Sequence, residues 1–209
     1  MPVLQIPLGP LQTNAYILYN QDNEAVIFDP GHESKKLTAI IKDKGLKPLA
    51  ILLTHAHFDH IGAVEDIRQT FQIPVYVHNL EQDWLENPAK NGSTRFGESI
   101  VANAADQLIH EDDTLQIGPF SFSTLHTPGH SPGSVSYYFQ DEHVVFSGDV
   151  LFQQSIGRTD LPGGEHQTLL HSIHTKLLHL PEETAVACGH GPATSIGAEM
   201  DSNPFLSGF

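Results

Sequence analysis

The segment LAILLTHAHFDHIG, residues 49–62, limits the fold more than any other part of the chain. Residues 49–53 are an uninterrupted apolar run of strand length, which reads as a buried strand. Such a strand lies inside the core, so Thr54 and the polar cluster behind it are delivered to the strand's C-terminal end. Three histidines and an aspartate then fall within six positions, His55, His57, Asp59 and His60.

Short strands and helices alternate along the rest of the chain, an α/β pattern with no linker or low-complexity stretch. Residues 14–19 and 24–29 read as strands joined by a polar turn, with Asp29, Pro30 and Gly31 closing the pair. Residues 33–45 read as a helix, with Leu37, Ile40 and Ile41 near a 3.6-residue period and Gly45 as its stop. A second helix starts near His60 and carries Ile61, Val64, Ile67 and Phe71, and a strand follows at 75–77. Residues 88–113 read as a loop with a short helix. Strands are expected near 114–117, 120–125, 134–139 and 143–146, a helix over 166–179, a strand at 184–187 and a terminal helix from about 194. One echo is visible: strand, polar turn, strand and acidic turn occur at 15–31 and again at 134–149, which suggests two similar halves. The simplest organisation is one continuous domain over 1–209.

The charge balance narrows the partners. Ten Lys and Arg stand against 25 Asp and Glu, a net charge of −15, so polyanions are repelled and neither nucleic acid nor an anionic membrane is an expected partner. No apolar run approaches the roughly 18 residues of a membrane span, and the N-terminus lacks the basic and apolar regions of a signal peptide. With Cys188 as its single cysteine the chain builds no internal disulfide, and a cytoplasmic location is expected.

Side chains two apart on an extended segment share a side, so His55, His57 and Asp59 can face one point, and His60 joins them if the chain turns into the helix there. Three further candidates stand at strand ends beside glycine: His130 in HTPGHSPGS, Asp149 in FSGDVLF and His190 in ACGHGPATS. Backbone at glycine can approach an ion closely. Imidazole with carboxylate suits zinc, and also iron or manganese.

The order His55-x-His57-x-Asp59-His60, then His130, Asp149 and His190, resembles the metallo-β-lactamase superfamily over residues 14–200. The resemblance implies a four-layer αββα sandwich with two divalent metal ions at one edge of its sheets. It gives His55, His57 and His130 to one ion, Asp59, His60 and His190 to the other, and Asp149 to both. TPGHSPGS, SGDVLFQQSIGRTDLPGG and GHGPATSIGAEMDSNPF are similar to the hydroxyacylglutathione hydrolase (glyoxalase II) group, in particular its short bacterial members. The long members carry a C-terminal helical domain that binds glutathione, whereas 19 residues follow His190 here. Their basic glutathione contact falls on Arg158. Their two tyrosine positions are Asp160 and Pro192.

Two ions sharing a carboxylate make hydroxide available near neutral pH, and Asp59 is placed to orient it or take its proton. A thiolate leaves without help from a general acid, so the expected substrate is a small-thiol thioester of the S-lactoylglutathione kind. The nearest alternative is an iron-dependent persulfide dioxygenase using His55, His130 and Asp149 as its facial triad. A lactonase, or a phosphodiesterase or nuclease, ranks lower, the last because no basic stripe is present. Arg158 reads equally as a substrate contact and as the ion-pair partner of Asp160. His166, His171, His174 and His179 read as a solvated helix face, His32, His110 and His143 as loop residues, and His78 and His126 as strand-end residues able to support ligand loops. Cys188 reads as a small buried residue and Trp84 as a packing residue. The closing NPFLSGF offers Phe205 and Leu206 to the domain or to a neighbouring subunit; the oligomeric state is not encoded in any motif.

Overall fold

A computed structural model describes residues 1–206. The chain divides into two compact units, Met1–His110 and Glu111–Phe209.

The first unit is built on a six-stranded sheet: β1 (Val3–Leu8), β2 (Thr13–Tyr19), β3 (Glu24–Phe28), β4 (Lys47–Leu52), β5 (Val75–His78) and β6 (Gln107–Ile109), in that spatial order. β1 to β3 pair antiparallel, and β3 to β6 pair parallel. Parallel neighbours need a crossover, and helices provide it. α1 (Ser34–Asp43) links β3 to β4, while α2 (Phe58–Ile61) and α3 (Val64–Phe71) link β4 to β5. Leu37 and Ile41 of α1 and Val64 and Ile67 of α3 join Ile27, Ile51 and Val75 of the sheet in one buried cluster. Each of these side chains, fully withdrawn from water, stabilises the unit by roughly 1.5–3 kcal/mol before conformational entropy is set against it.

The second unit carries another six-stranded sheet, in the order β14 (Thr194–Ser195), β13 (Ala185–Cys188), β10 (Val144–Gly148), β9 (Val135–Phe139), β8 (Phe120–His126) and β7 (Asp113–Ile117). β10 and β13 pair parallel, and the other described neighbours pair antiparallel. Between them come a small hairpin, β11 (Leu151–Phe152) with β12 (Ser155–Ile156), and helix α4 (His166–Ser172), which runs on into a π-helical turn, Ile173–Leu177. α5 (Ile196–Ser202) follows β14. Phe122 stacks on Phe139 at 4.7 Å and Phe146 meets Phe139 edge-on at 5.7 Å, while Leu169, Leu170, Ile173 and Leu177 pack with Val145, Val186 and Ile196.

Most expected elements are present within a few residues, and the departures have local causes. β1 escapes a periodicity reading because Pro2 precedes it and Pro7 interrupts it, and β6 because its Gln107 and Leu108 are exposed. The helix expected from His60 is two pieces, broken at Gly62 and Ala63, where Gly31 packs so closely that a Cβ on Gly62 would lie 2.3 Å from the Gly31 carbonyl oxygen. The sequence echo corresponds to the hairpins β2–β3 and β9–β10. Each delivers its last strand to a parallel partner, β4 or β13. Among the described residues no helix is long and apolar enough to cross a membrane. Leu206 is buried and Phe205 exposed, and residues 207–209 of the closing segment lie outside the described residues.

Candidate metal centre

Ligands of α/β sheets gather beyond the carboxyl ends of parallel strands, and every candidate of the first unit lies there. After β4 the chain bends at Thr54 and reaches an extended His57 (φ −67°, ψ 148°), and Phe58 then opens α2. The His55 and His57 rings lie 4.7 Å apart, and the turn into α2 brings His60 to 4.1 Å from His55. Asp59 comes with it, its Oδ2 3.6 Å from His60 Nε2.

These side chains are fixed by buried polar groups from elsewhere in the unit. Asp29, at the carboxyl end of β3, accepts the Thr54 amide at 2.8 Å, the Thr54 hydroxyl at 2.6 Å and His60 Nδ1 at 3.0 Å. It holds φ at 46°, a left-handed conformation that aspartate tolerates better than most residues. Since the Thr54 hydroxyl donates to Asp29, it accepts from His55 Nδ1, 3.1 Å away. Thr13 donates to Asp59 Oδ2 at 2.8 Å. The fully buried Glu81 accepts the Ala56 amide at 2.6 Å, and Asn91 O accepts the Phe58 amide at 3.0 Å. Gly31 completes the arrangement, because a Cβ there would lie 1.7 Å from the Asp59 carbonyl oxygen.

In the second unit the candidates stand on three loops. Asp149 follows β10, His190 follows β13, and His130 lies between β8 and β9. Asp149 Oδ2 is 3.7 Å from His130 Nε2 and 3.5 Å from His190 Nε2. The His130 ring is set by a carbonyl, its Nδ1 lying 2.8 Å from Arg158 O. Gly157 permits that approach: a Cβ there would stand 1.9 Å from Asp149 O and 3.2 Å from the His130 Cβ. His126 also supports the loop, its Nε2 2.9 Å from Pro132 O.

The donor set suits a metal. Nδ1 of His55, of His60 and of His130 each faces an oxygen acceptor, so each ring carries its proton there and turns the lone pair of Nε2 inward, the tautomer that ligation requires. Two donors about 2.1 Å from a shared tetrahedral ion lie about 3.4 Å from one another. The separations of 3.5, 3.6 and 3.7 Å around Asp149 and at Asp59–His60 are near that spacing and long for hydrogen bonds.

The seven candidates thus divide four and three between the units. Arg158 pairs in two bonds of 2.7 Å with Asp160, both largely exposed, and that pairing holds the guanidinium further in its charged form. Its main chain does something the sequence did not suggest, by setting His130. Cys188 is fully buried, its Sγ 3.2 Å from the carbonyls of His190 and Pro192, and burial pushes its thiol up to about 11. Trp84 is buried with its ring 5.6 Å from that of His57. Asp29, Thr13, Glu81 and Asn91 were not singled out from the sequence. A signal for Asp29 was present, since the internal echo places an acidic turn at residues 29–31 as at 147–149.

A model of the family described as "Metallo-beta-lactamase superfamily" matches residues 8–190. The chain is 58% identical to the probable metallo-hydrolase YqgX of Bacillus subtilis (strain 168), over 98% of this chain and 97% of that protein. It is 38% identical to the hydroxyacylglutathione hydrolase GloC of Haemophilus influenzae, over 97% and 96%. Among solved structures it is similar to the B3 metallo-beta-lactamase BLEG-1, at 64% identity and a TM-score of 0.98, covering 99% of this chain and all of that one. It is also similar to TTHA1623 in a di-iron-bound form, at 42% identity and a TM-score of 0.85, covering 97% and 100%.

Proposed function

The chain belongs to the metallo-beta-lactamase superfamily and has its α/β fold, and from that premise we propose that it is a metal-dependent hydrolase of small-thiol thioesters, of the S-lactoylglutathione kind. In this reading His55, His57 and His130 hold one divalent ion, Asp59, His60 and His190 a second, and Asp149 both. Zinc, iron and manganese all suit the set, and the di-iron form of TTHA1623 supports a pair. The observation that carries the reading is the common tautomer of His55, His60 and His130, each held through Nδ1 with Nε2 left to ligate.

Bound divalent ions would supply a water of near-neutral pKa and polarise the scissile carbonyl. The residues supply position and proton transfer. Asp59, held at Oδ2 by Thr13, aligns the attacking water and takes its proton. A thiolate then leaves unprotonated at neutral pH. Arg158, exposed on the loop that sets His130, meets the anionic end of the thiol in exchange for Asp160.

The similarity to GloC supports the thioester. The similarity to BLEG-1 supports a second reading, hydrolysis of a β-lactam amide, in which Asp59 would have to return its proton to the departing nitrogen. Purified protein assayed by elemental analysis and against both S-lactoylglutathione and a chromogenic β-lactam separates them. Two ions per chain with metal-dependent thiol release is the expected result. Release from the lactam alone would favour the second reading, and a single iron with oxygen uptake on persulfide would overturn both. His57→Ala should abolish turnover and lower metal content, while Arg158→Ala should raise KM for an anionic thioester with little change in kcat.

A further inference from the structure

The first unit contains a recess lined by Asp59 together with the apolar walls Leu8, Pro10, Leu11, Phe58 and Phe96. We infer that this recess is the acyl pocket of the enzyme and that it selects substrates with an uncharged, apolar acyl chain; the inference rests on the hydrolase reading of Asp59.

Two of the walls are apolar side chains left in water: Leu11 is 44% and Phe96 59% exposed. Neither is a loose side chain on a mobile tail. Leu11 lies in the turn between β1 and β2, closed by the Gln12 amide on Gly9 O at 3.2 Å and by the Gln12 side chain on the same oxygen at 2.7 Å. Phe96 ends a 3₁₀ turn, Ser93–Phe96, bounded by Gly92 and Gly97, both at positive φ, and its ring lies 4.8 Å from that of Phe58. Phe58 is the residue before Asp59, and its amide is tied to Asn91 O. The walls are therefore preformed, and burying them against a ligand requires little ordering.

Charge decides what the recess can hold. Glu98 and Asp59 line it, and among the described residues no lysine or arginine does. His32, also in the lining, uses Nδ1 to accept the Glu33 amide at 3.0 Å. A carboxylate or phosphate is repelled from such a place, whereas an alkyl chain gains by covering Leu11 and Phe96. The carbonyl end of that chain would lie at Asp59, and the anionic thiol would lie away from the recess.

The test uses metal-loaded protein and thioesters of one thiol with acetyl, butanoyl and hexanoyl groups. kcat/KM should rise about fourfold per methylene until the recess is filled. Phe96→Ala and Leu11→Ala should flatten the hexanoyl-to-acetyl ratio, a quantity unaffected by loss of active protein because both rates come from one sample. A ratio that does not rise with chain length in the wild type, or survives in both variants, overturns the inference. If no thioester is hydrolysed, the function proposed above fails, and the recess is tested by itself with the neutral amide hexanamide. Saturable amide chemical-shift changes at Leu11 and Phe96, absent with acetamide, would uphold it, and their absence would overturn it.

Discussion

In the first unit the Nδ1 of His60 ends on the carboxylate of Asp29, which also receives Thr54 twice, and Asp59 is held by the Thr13 hydroxyl. In the second unit the Nδ1 of His130 ends on the carbonyl of Arg158, and the space for that contact comes from a residue with no side chain, Gly157. At these contacts the first unit holds His60 and Asp59 with buried side chains, and the second holds His130 with main chain. The hairpins that the echo relates end alike, in Asp29 and in Asp149, yet the first is a support and the second a candidate ligand. An acidic residue just beyond a hairpin can therefore take different parts in the two units.

The contrast is sharpest where a side chain is removed from the first unit. Asp29→Ala leaves the Thr54 amide, the Thr54 hydroxyl and His60 Nδ1 without their shared acceptor. It should cost about 3 kcal/mol or more, a fall of roughly 10 °C in Tm, together with loss of metal by elemental analysis. Asp29→Asn, which tolerates the same backbone, should recover stability before it recovers metal. In the second unit the damaging change adds an atom. Gly157→Ala should cost about 2 kcal/mol and lower metal content; wild-type content in that variant would mean that the loop yields and main chain does not set His130. Thr13→Val, with one hydroxyl lost from Asp59, should cost about 1 kcal/mol and reduce kcat more than it changes KM.

Arg158→Ala keeps the carbonyl that sets His130 and removes an exposed ion pair, so stability should change by about 0.5 kcal/mol or less with metal content unaltered. A loss of metal matching that of Gly157→Ala would break the comparison. The smallest effect concerns Glu165, which caps α4 at its N-terminus. The Thr168 side chain and amide and the Gln167 amide hold its carboxyl below the ordinary glutamate value. A lowered folded-state pKa contributes stability above the unfolded value and loses it as pH falls through the folded one. The Tm difference between wild type and Glu165→Gln should accordingly be widest at neutral pH and close in acid.

The same contrast explains what could be read in advance. His55, His57, Asp59 and His60 are legible because one strand end delivers them consecutively, and His130, Asp149 and His190 because glycine marks each strand end. The strands with continuous apolar runs, β2, β3, β4, β9 and β10, were legible for the same local reason. Supports are harder to see. Asp29 in Asp-Pro-Gly looks like any turn, and Glu81 and Asn91 sit in polar surroundings where only tertiary structure reveals that both are fully buried. The carbonyl of Arg158 has no sequence signature at all, since any residue provides one. The stretch 88–113 resisted reading because its order comes from side chains bonded to backbone, as where the Asn91 amide reaches Trp84 O and Ile100 O.

Asp29 meets Thr54 and His60 across 25 and 31 residues of sequence, through a parallel pairing that no local hairpin can nucleate. Closing that loop precedes any return from it. If these histidines hold an ion as proposed, the unfolded chain could capture it through either ring nitrogen, and an ion bound through Nδ1 would have to dissociate before the crossover shuts. Vectorial synthesis eases this conflict. The acceptor carboxylate leaves the ribosome ahead of the histidines that need it, so the crossover can close as they emerge, and the tautomer is chosen by the chain before the metal has to choose it.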